Sequence, residues 1–287
     1  MYFLFIVMPL ISVVKVTTQG RFSKKSIRSF SDVLLYNTVA FLCSALVLAL
    51  LFFRNVPPIE VFIYALLSGI CSVSYQSFYT LALKNGPVSA TVILGSFSII
   101  FTLIAGAIFF EEHWTKYTLI GFALMALAFY LIPAKRNDKK ATLKWLLFVL
   151  LTFVSNGLLN AVMLFFSKSE FGTMQSEYVT LIFLFACIIS LLLTLFNVKI
   201  KKDPITIKKG WGLPIVALII GSCLGVYNVL YVVALQHFPS FIVAPVLNGV
   251  VMILIMVVDA LLNKEKPTIK TLIGVVCAVV AIVLLNL

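Results

Sequence analysis

Charge is what this chain has least of. Asp, Glu, Lys and Arg make up 11% of its 287 residues, against about 25% in a soluble domain, while 62% are hydrophobic. That imbalance excludes an ordinary soluble domain and leaves lipid-facing and bundle-core helix. Histidine is nearly absent: His113 and His237 are the two, each at a loop position, and Glu111-Glu112-His113 has no second ligand cluster to complete a metal site. The five cysteines, Cys43, Cys71, Cys187, Cys223 and Cys277, lie singly in apolar runs without CxxC or Cys/His spacing. They read as small packing residues, not a disulfide framework or metal site. There is no His-Glu-x-x-His, no Gly-x-Ser-x-Gly and no glycine-rich phosphate loop. An enzyme, a cofactor, a metal and ATP hydrolysis by the chain itself are therefore not expected. A basic domain is missing too. The net charge of +12 sits in short loops between apolar runs, so it reads as topology signal and lipid-headgroup contact. Nucleic acid is not an expected partner.

What is there is a succession of ten apolar spans, at 1–18, 32–53, 59–83, 87–110, 115–133, 143–166, 177–197, 211–235, 239–262 and 268–287. Each is near the ~20 residues a helix needs to cross the hydrocarbon core. They are too long for strands and lack period-2 alternation. Breaks such as Asn55-Val56-Pro57-Pro58 and Asn85-Gly86-Pro87 are turn chemistry. The first span is not a cleavable signal peptide: no Lys or Arg precedes it, no small-residue cleavage site follows it, and basic residues come after it. It is short, with Lys15 near its end, which leaves room for a start codon further upstream.

The chain also contains itself twice. Shifting residues 65–87 by 152 positions gives nine identities in 23 places, among them Gly69/Gly221, Cys71/Cys223, Tyr75/Tyr227, Tyr79/Tyr231 and Pro87/Pro239. One inserted residue later Glu112 matches Glu265, and Thr118-Leu119-Ile120-Gly121 matches Thr271-Leu272-Ile273-Gly274. A duplicated apolar chain points to a transporter built from two related bundles, here 1–134 and 143–287.

The loops carry a second pattern. Those joining spans 1–2, 3–4, 5–6, 7–8 and 9–10 hold 18 Lys/Arg, and the others hold three. The positive-inside rule places the first set in the cytoplasm and both termini outside. Between equivalent loops the bias reverses: loop 1–2 has four positive charges and loop 6–7 one, whereas loop 2–3 has one and loop 7–8 five. An odd number of spans per half makes the second copy enter from the opposite side. Sequence similarity with reversed charge bias is what an inverted repeat requires. The expected fold is an all-α integral membrane protein, ten transmembrane helices as a 5+5 inverted repeat.

The chain resembles the drug/metabolite transporter superfamily in its EamA-like ten-helix form. The residues that carry this are Tyr79-x-x-Ala82-Leu83-x-x-x-Pro87 running to Phe110-Glu111-Glu112 and Leu119-Ile120-Gly121, and Tyr231-x-x-Ala234-Leu235-x-x-x-Pro239 running to Glu265 and Leu272-Ile273-Gly274. The resemblance covers essentially the whole chain through diffuse motifs. It implies a multi-pass carrier of the plasma (inner) membrane, a monomer or homodimer among membrane lipid. Such a carrier exports or imports a small organic metabolite (amino-acid, sugar or nucleobase-like) by alternating access through a cavity at the centre of the bundle, export being the expected direction, with spans 1, 3, 4, 6, 8 and 9 lining the path. Two departures stand out. The family's commonly described form has cytoplasmic termini, opposite to the charge count. Its four-helix relatives carry a membrane-embedded glutamate in the first helix, and neither span 1 nor span 6 holds an acid, so proton coupling through that device is not expected. Multidrug efflux and a non-transporting membrane sensor or assembly partner are the alternative readings.

Polar groups inside a bilayer are costly and face the bundle interior or a wet cavity. Span 3 offers Tyr75, Gln76 and Tyr79, and span 8 offers Tyr227, Asn228 and Tyr231. Residues four apart share a helix face, so the tyrosines either line a pocket or pack between helices. Span 6 carries Ser155, Asn156 and Asn160, whose amides suit a zwitterion or nucleobase, or bond between helices. Span 2 adds Asn37, and span 4 adds Ser89, Thr91, Ser96 and Ser98. In span 9, Pro245 predicts a broken or kinked helix beside Asn248. Lys15 and Asp259 are the charges that lie more than two residues inside a span. They form a charge pair or gate, Lys15 binds an anionic substrate group, or each snorkels to the interface. Glu112 and Glu265, before spans 5 and 10, read as structural carboxylates at helix starts.

Overall fold

The computed structural model describes residues 2–53, 55–86, 91–92, 94–95, 97–111, 115–131, 142–207, 212–263 and 269–285. Ten helices lie among them: α1 Leu4–Ser26, α2 Phe30–Phe52, α3 Ile59–Asn85, α4 Ile99–Phe109, α5 Lys116–Leu131, α6 Leu143–Ser167, α7 Gln175–Lys199, α8 Gly212–His237, α9 Ser240–Asn263 and α10 Ile269–Leu285. The described residues contain no strand. Six helices, α1, α2, α3, α6, α7 and α8, have 23 to 27 residues and are apolar enough to cross a membrane. Shorter apolar helices accompany them, among them Ile99–Phe109 and Ser240–Val251.

Local chemistry sets the ends. Ser29 and Asp32 form a capping box at the start of α2, each side chain accepting the other's backbone N–H, which satisfies two orphan donors at once. The Thr142 hydroxyl accepts from Trp145 N and starts α6. Pro58, with no N–H to leave unpaired, precedes α3. The first loop departs from the sequence reading: Arg21, Lys24 and Lys25 are not loop residues but the end of α1, and the turn to α2 is only Ile27 to Ser29. Two lysines in a last helical turn oppose the negative end of its dipole, so the helix outruns its apolar stretch. Of the break and the kink that Pro245 allows, the break does not occur: α9 runs helical through it.

Burial is inverted relative to a soluble protein. Along α2, Asn37 and Ser44 are buried while Leu46 and Leu50 are exposed. Along α7, Ser190 and Thr194 are buried while Ile188 and Leu192 are exposed. Apolar side chains outward and hydrogen-bonded polar ones inward is the arrangement a lipid solvent selects. The inward groups tie helices together. Asn37 Nδ2 donates to Ser77 Oγ at 2.9 Å, Gln19 Nε2 to Thr80 Oγ1 at 3.0 Å, and Ser190 Oγ to Leu34 O at 2.9 Å.

Most helix pairings come in couples related by exchanging the two halves. The α3 helix packs on α6 as α8 packs on α1. It packs on α7 as α8 packs on α2, and α4 packs on α6 as α9 packs on α1. The pairings α2 with α7, α4 with α9 and α5 with α10 are their own images. At the centre Phe41 of α2 and Phe183 of α7 stack with ring centroids 5.9 Å apart.

Candidate substrate cavity

A cavity of about 120 Å3 lies at the middle of the bundle. Helix α3 sends Tyr75, Gln76 and Tyr79 to its wall, and α8 sends Tyr227, Asn228 and Tyr231. Helix α6 contributes Asn156 and Asn160, α9 Asn248, and α1 Lys15. The wall thus draws on α1, α3, α4, α6, α8 and α9, and Phe41 and Phe183 close it from α2 and α7.

The two tyrosine pairs are built alike. In α3 the rings of Tyr75 and Tyr79 lie 5.6 Å apart, and in α8 those of Tyr227 and Tyr231 lie 6.2 Å apart, stacked at 10°. Tyr79 and Tyr231 are equally buried, each 4% exposed. Residues four apart on a helix meet on one face, which is how the repeated Tyr-x-x-x-Tyr becomes two aromatic ladders on one cavity. Both the pocket and the packing reading of the tyrosines describe part of this geometry, since the rings pack on each other and still border open space.

The amides divide in the same way. Asn156 Nδ2 donates to Ser98 Oγ at 2.6 Å, tying α6 to the segment before α4. Asn228 Nδ2 donates to Leu224 O one turn back at 3.0 Å. Gln76 is buried beside the Tyr36 hydroxyl, and the Tyr231 hydroxyl beside Thr102, but neither has a well-formed hydrogen bond. Buried polar atoms left unmade cost about 1–3 kcal/mol each. Gln76 and Tyr231 are residues of the cavity wall, where a small rotation of the side chain would bring the unmade group to a ligand or water.

Lys15 does not reach for the membrane interface. Its ammonium turns inward, 5.6 Å from the Tyr75 ring centroid and 5.7 Å from that of Tyr79. Cation–π contacts contribute about 0.5–2 kcal/mol, less than the several kcal/mol that desolvating an ammonium costs. The described residues that line the cavity include no Asp or Glu. The side chain of Asp259, the other half of the suggested pair or gate, lies outside the described residues, as do Glu112, His113, Glu265, Ser89 and Ser96. His237 ends α8 with its ring Nδ1 against Val233 O at 2.9 Å, a helix-end contact remote from the cavity wall.

Sequence reasoning missed Phe41, Phe183, Ser12, Ser72 and Thr152, which also line the cavity. For the phenylalanines no signal distinguished them among 25. The hydroxyls were visible as polar breaks in apolar runs. No metal-binding group of three or more His, Cys, Asp or Glu is found among the described residues.

Among the described residues, a helical bundle with apolar outer faces and a central cavity of mixed polar and apolar lining marks an integral, multi-pass membrane protein. The family model of the EamA-like transporter family matches residues 3–133 and, a second time, residues 143–287. The chain belongs to the EamA-like transporter family, whose members are membrane transporters rather than enzymes. No curated protein matches it. A solved crystal structure superposes with a TM-score of 0.66 over 98% of each chain at 12% identity, a likeness of fold alone.

Proposed function

We propose that the protein is a secondary transporter that carries a small organic metabolite, amino-acid-, sugar- or nucleobase-like, through this central cavity by alternating access. The observation that carries the reading is the cavity wall itself. Equivalent tyrosines from the two halves, with amides from four helices and one cation, surround a single space. Ten spans in a 5+5 inverted repeat would place that space at the pseudo-two-fold axis, where one half rocks against the other around a fixed site. The paired helix contacts and the reversed loop charges support that architecture. Export across the plasma (inner) membrane, by a monomer or homodimer, completes the reading. A groove of about 400 Å3 between α1 and α8, lined by Arg21 and Lys25 with Thr17 and Thr18, suits an anionic lipid headgroup.

The volume favours a metabolite over bulky drugs. About 120 Å3 is well below the ~300–1,000 Å3 of pockets for drug-sized ligands. Multidrug efflux of cations would also want a buried acid, and the described wall has none.

Metabolite profiling of medium and cytoplasm tests the reading, comparing cells that overexpress the chain with cells carrying Tyr79→Ala/Tyr231→Ala. A compound class enriched outside only with the unmutated chain establishes export, and enrichment inside means uptake. The double variant should lower flux about tenfold or more while leaving the amount of membrane-inserted protein within about twofold, because stacking and hydroxyl contacts of about 1–2 kcal/mol are lost from the site. Equal loss of protein and flux returns the tyrosines to packing. No difference between the unmutated chain and empty cells, with the protein in the membrane, brings the sensor or partner reading forward.

A further inference from the structure

The cation in the cavity restricts what the cavity can hold. Lys15 sits on α1 six residues after Pro9, within the apolar stretch, and its ammonium is fixed over the faces of Tyr75 and Tyr79. Aromatic faces hold a cation in place without neutralising it. Lys15 lines the same cavity as Gln76, Asn156 and Asn228. A charge in a membrane interior is retained where it pairs with something, and the described wall of the cavity supplies no carboxylate.

We propose that Lys15 is the anion subsite of this cavity and that the substrate is a small organic acid. Its anionic oxygen group, a carboxylate or a phosphate monoester, docks on the Lys15 ammonium, while its polar remainder meets the amides and the Tyr227 and Tyr231 rings. The inference rests on the carrier reading above and narrows its substrate to one charge class. Tyr75 and Tyr79 are positioning residues: their rings hold the ammonium at the cavity instead of letting it swing along the helix to the interface. Selection follows from charge. A neutral isostere of the same shape leaves the ammonium unpaired, and a cation meets repulsion, so both are rejected even where they fit.

The experiment uses the full chain, purified in detergent for binding and reconstituted in liposomes for flux. The probes are small monocarboxylates and dicarboxylates, amino acids, phosphate monoesters of similar size, and the carboxamide or free alcohol of each. The unmutated chain should bind and carry one anionic set and discriminate against its neutral counterparts, and which set is carried separates carboxylate from phosphate. Lys15→Met should weaken binding of that anion about thirty-fold or more, while Lys15→Arg retains a measurable part of it.

Neutral members carried as well as anions, with Lys15→Met without effect, overturn the anion subsite and leave the carrier intact. No probe bound or carried by the unmutated chain overturns both. Asp259→Asn provides the structural control. If Lys15 serves only to neutralise Asp259, then Lys15→Met and Asp259→Asn lose thermal stability alike, the double variant recovers it, and the preference for anion over neutral probe does not move. That result also overturns the proposal. Loss of the preference in Lys15→Met, with Asp259→Asn keeping it, supports it.

Discussion

The Asp32 carboxylate, in the first turn of α2, accepts a hydrogen bond from the backbone N–H of Thr206 at 2.7 Å and another from the Thr206 hydroxyl, across 174 residues of chain. Three more donors converge on it: Arg28 N at 2.9 Å, Ser29 N at 3.0 Å and Ile207 N at 3.0 Å. Asp203 returns the bond by accepting from Ser31 N at 2.8 Å. A helix cap has become a latch between the two halves, at the end of the bundle where the basic residues gather.

Removing the charge from this latch should be felt in stability. Asn at position 32 replaces one acceptor oxygen by an NH2 that faces N–H donors, so about two bonds are lost and one donor pair is opposed. Hydrogen bonds to a charged group contribute about 1.5–3 kcal/mol each, and a lost cap costs about 1 kcal/mol. Asp32→Asn is expected to lose about 3 kcal/mol, read as a lower unfolding temperature of the purified chain. Thr206→Val, which deletes one bond and keeps the charge, should lose about 1–2 kcal/mol. An Asp32→Asn chain as stable as the unmutated one would mean the segment at 203–207 is held by something else.

The repeat-related glycines make a second comparison. A Cβ built on Gly221 would lie 2.4 Å from Ala40 O and 3.1 Å from Ser44 N on the α2 backbone, beside the 2.7 Å bond from Ser44 Oγ to Gly221 O. On Gly69 the closest approach is looser, 3.0 Å to Phe185 Cβ and 3.3 Å to Ile182 O. Glycine at a close helix crossing brings backbones together. Alanine gains about 1 kcal/mol of helix propensity and loses about 1–3 kcal/mol where overpacking forces the backbone apart. The balance makes Gly221→Ala destabilising by about 1–2 kcal/mol and Gly69→Ala close to neutral. Thermal unfolding of the two variants side by side checks the order, and a reversed order would show that the crossing of α2 and α8 has slack.

The uneven legibility of this chain has a physical cause. In lipid every spanning segment must satisfy its own backbone, so long apolar runs are helices with little left to tertiary context. The spans at 143–166 and 59–83 agree with α6 and α3 to within two residues at each end. Boundaries failed where charge was taken for loop. Arg21, Lys24 and Lys25 extend α1 because basic groups suit a helix C-terminus, so the apolar stretch understated the helix.

Internal repetition is what made the cavity readable. Tyr75, Tyr79, Tyr227 and Tyr231 were found because the sequence repeats them, and they meet because the halves pack by exchange. Phe41 and Phe183 carried no such mark. Asp32 was hidden because its partners lie in a segment 174 residues away, and no local pattern announces a long-range acceptor. The inward turn of Lys15 depends on side-chain packing with α3, which spacing along α1 does not encode.

The loop charges give a prediction about orientation. Lys168 follows α6 and Lys201 follows α7, both exposed and on opposite ends of the bundle. Moving a positive charge outward against the membrane potential costs about 2.3 kcal/mol per 100 mV, and the end of α7 with the loop to α8 holds five lysines against one after α6. The bias predicts Lys201 in the cytoplasm and both chain termini outside. With the five native cysteines replaced, a membrane-impermeant maleimide added to intact cells should label Lys168→Cys and leave Lys201→Cys unlabelled until the cells are permeabilised. The opposite pattern would place the termini in the cytoplasm, as in the family's commonly described form. Five lysines would then have been carried across the membrane, and packing of the helices rather than loop charge would be what orients the chain.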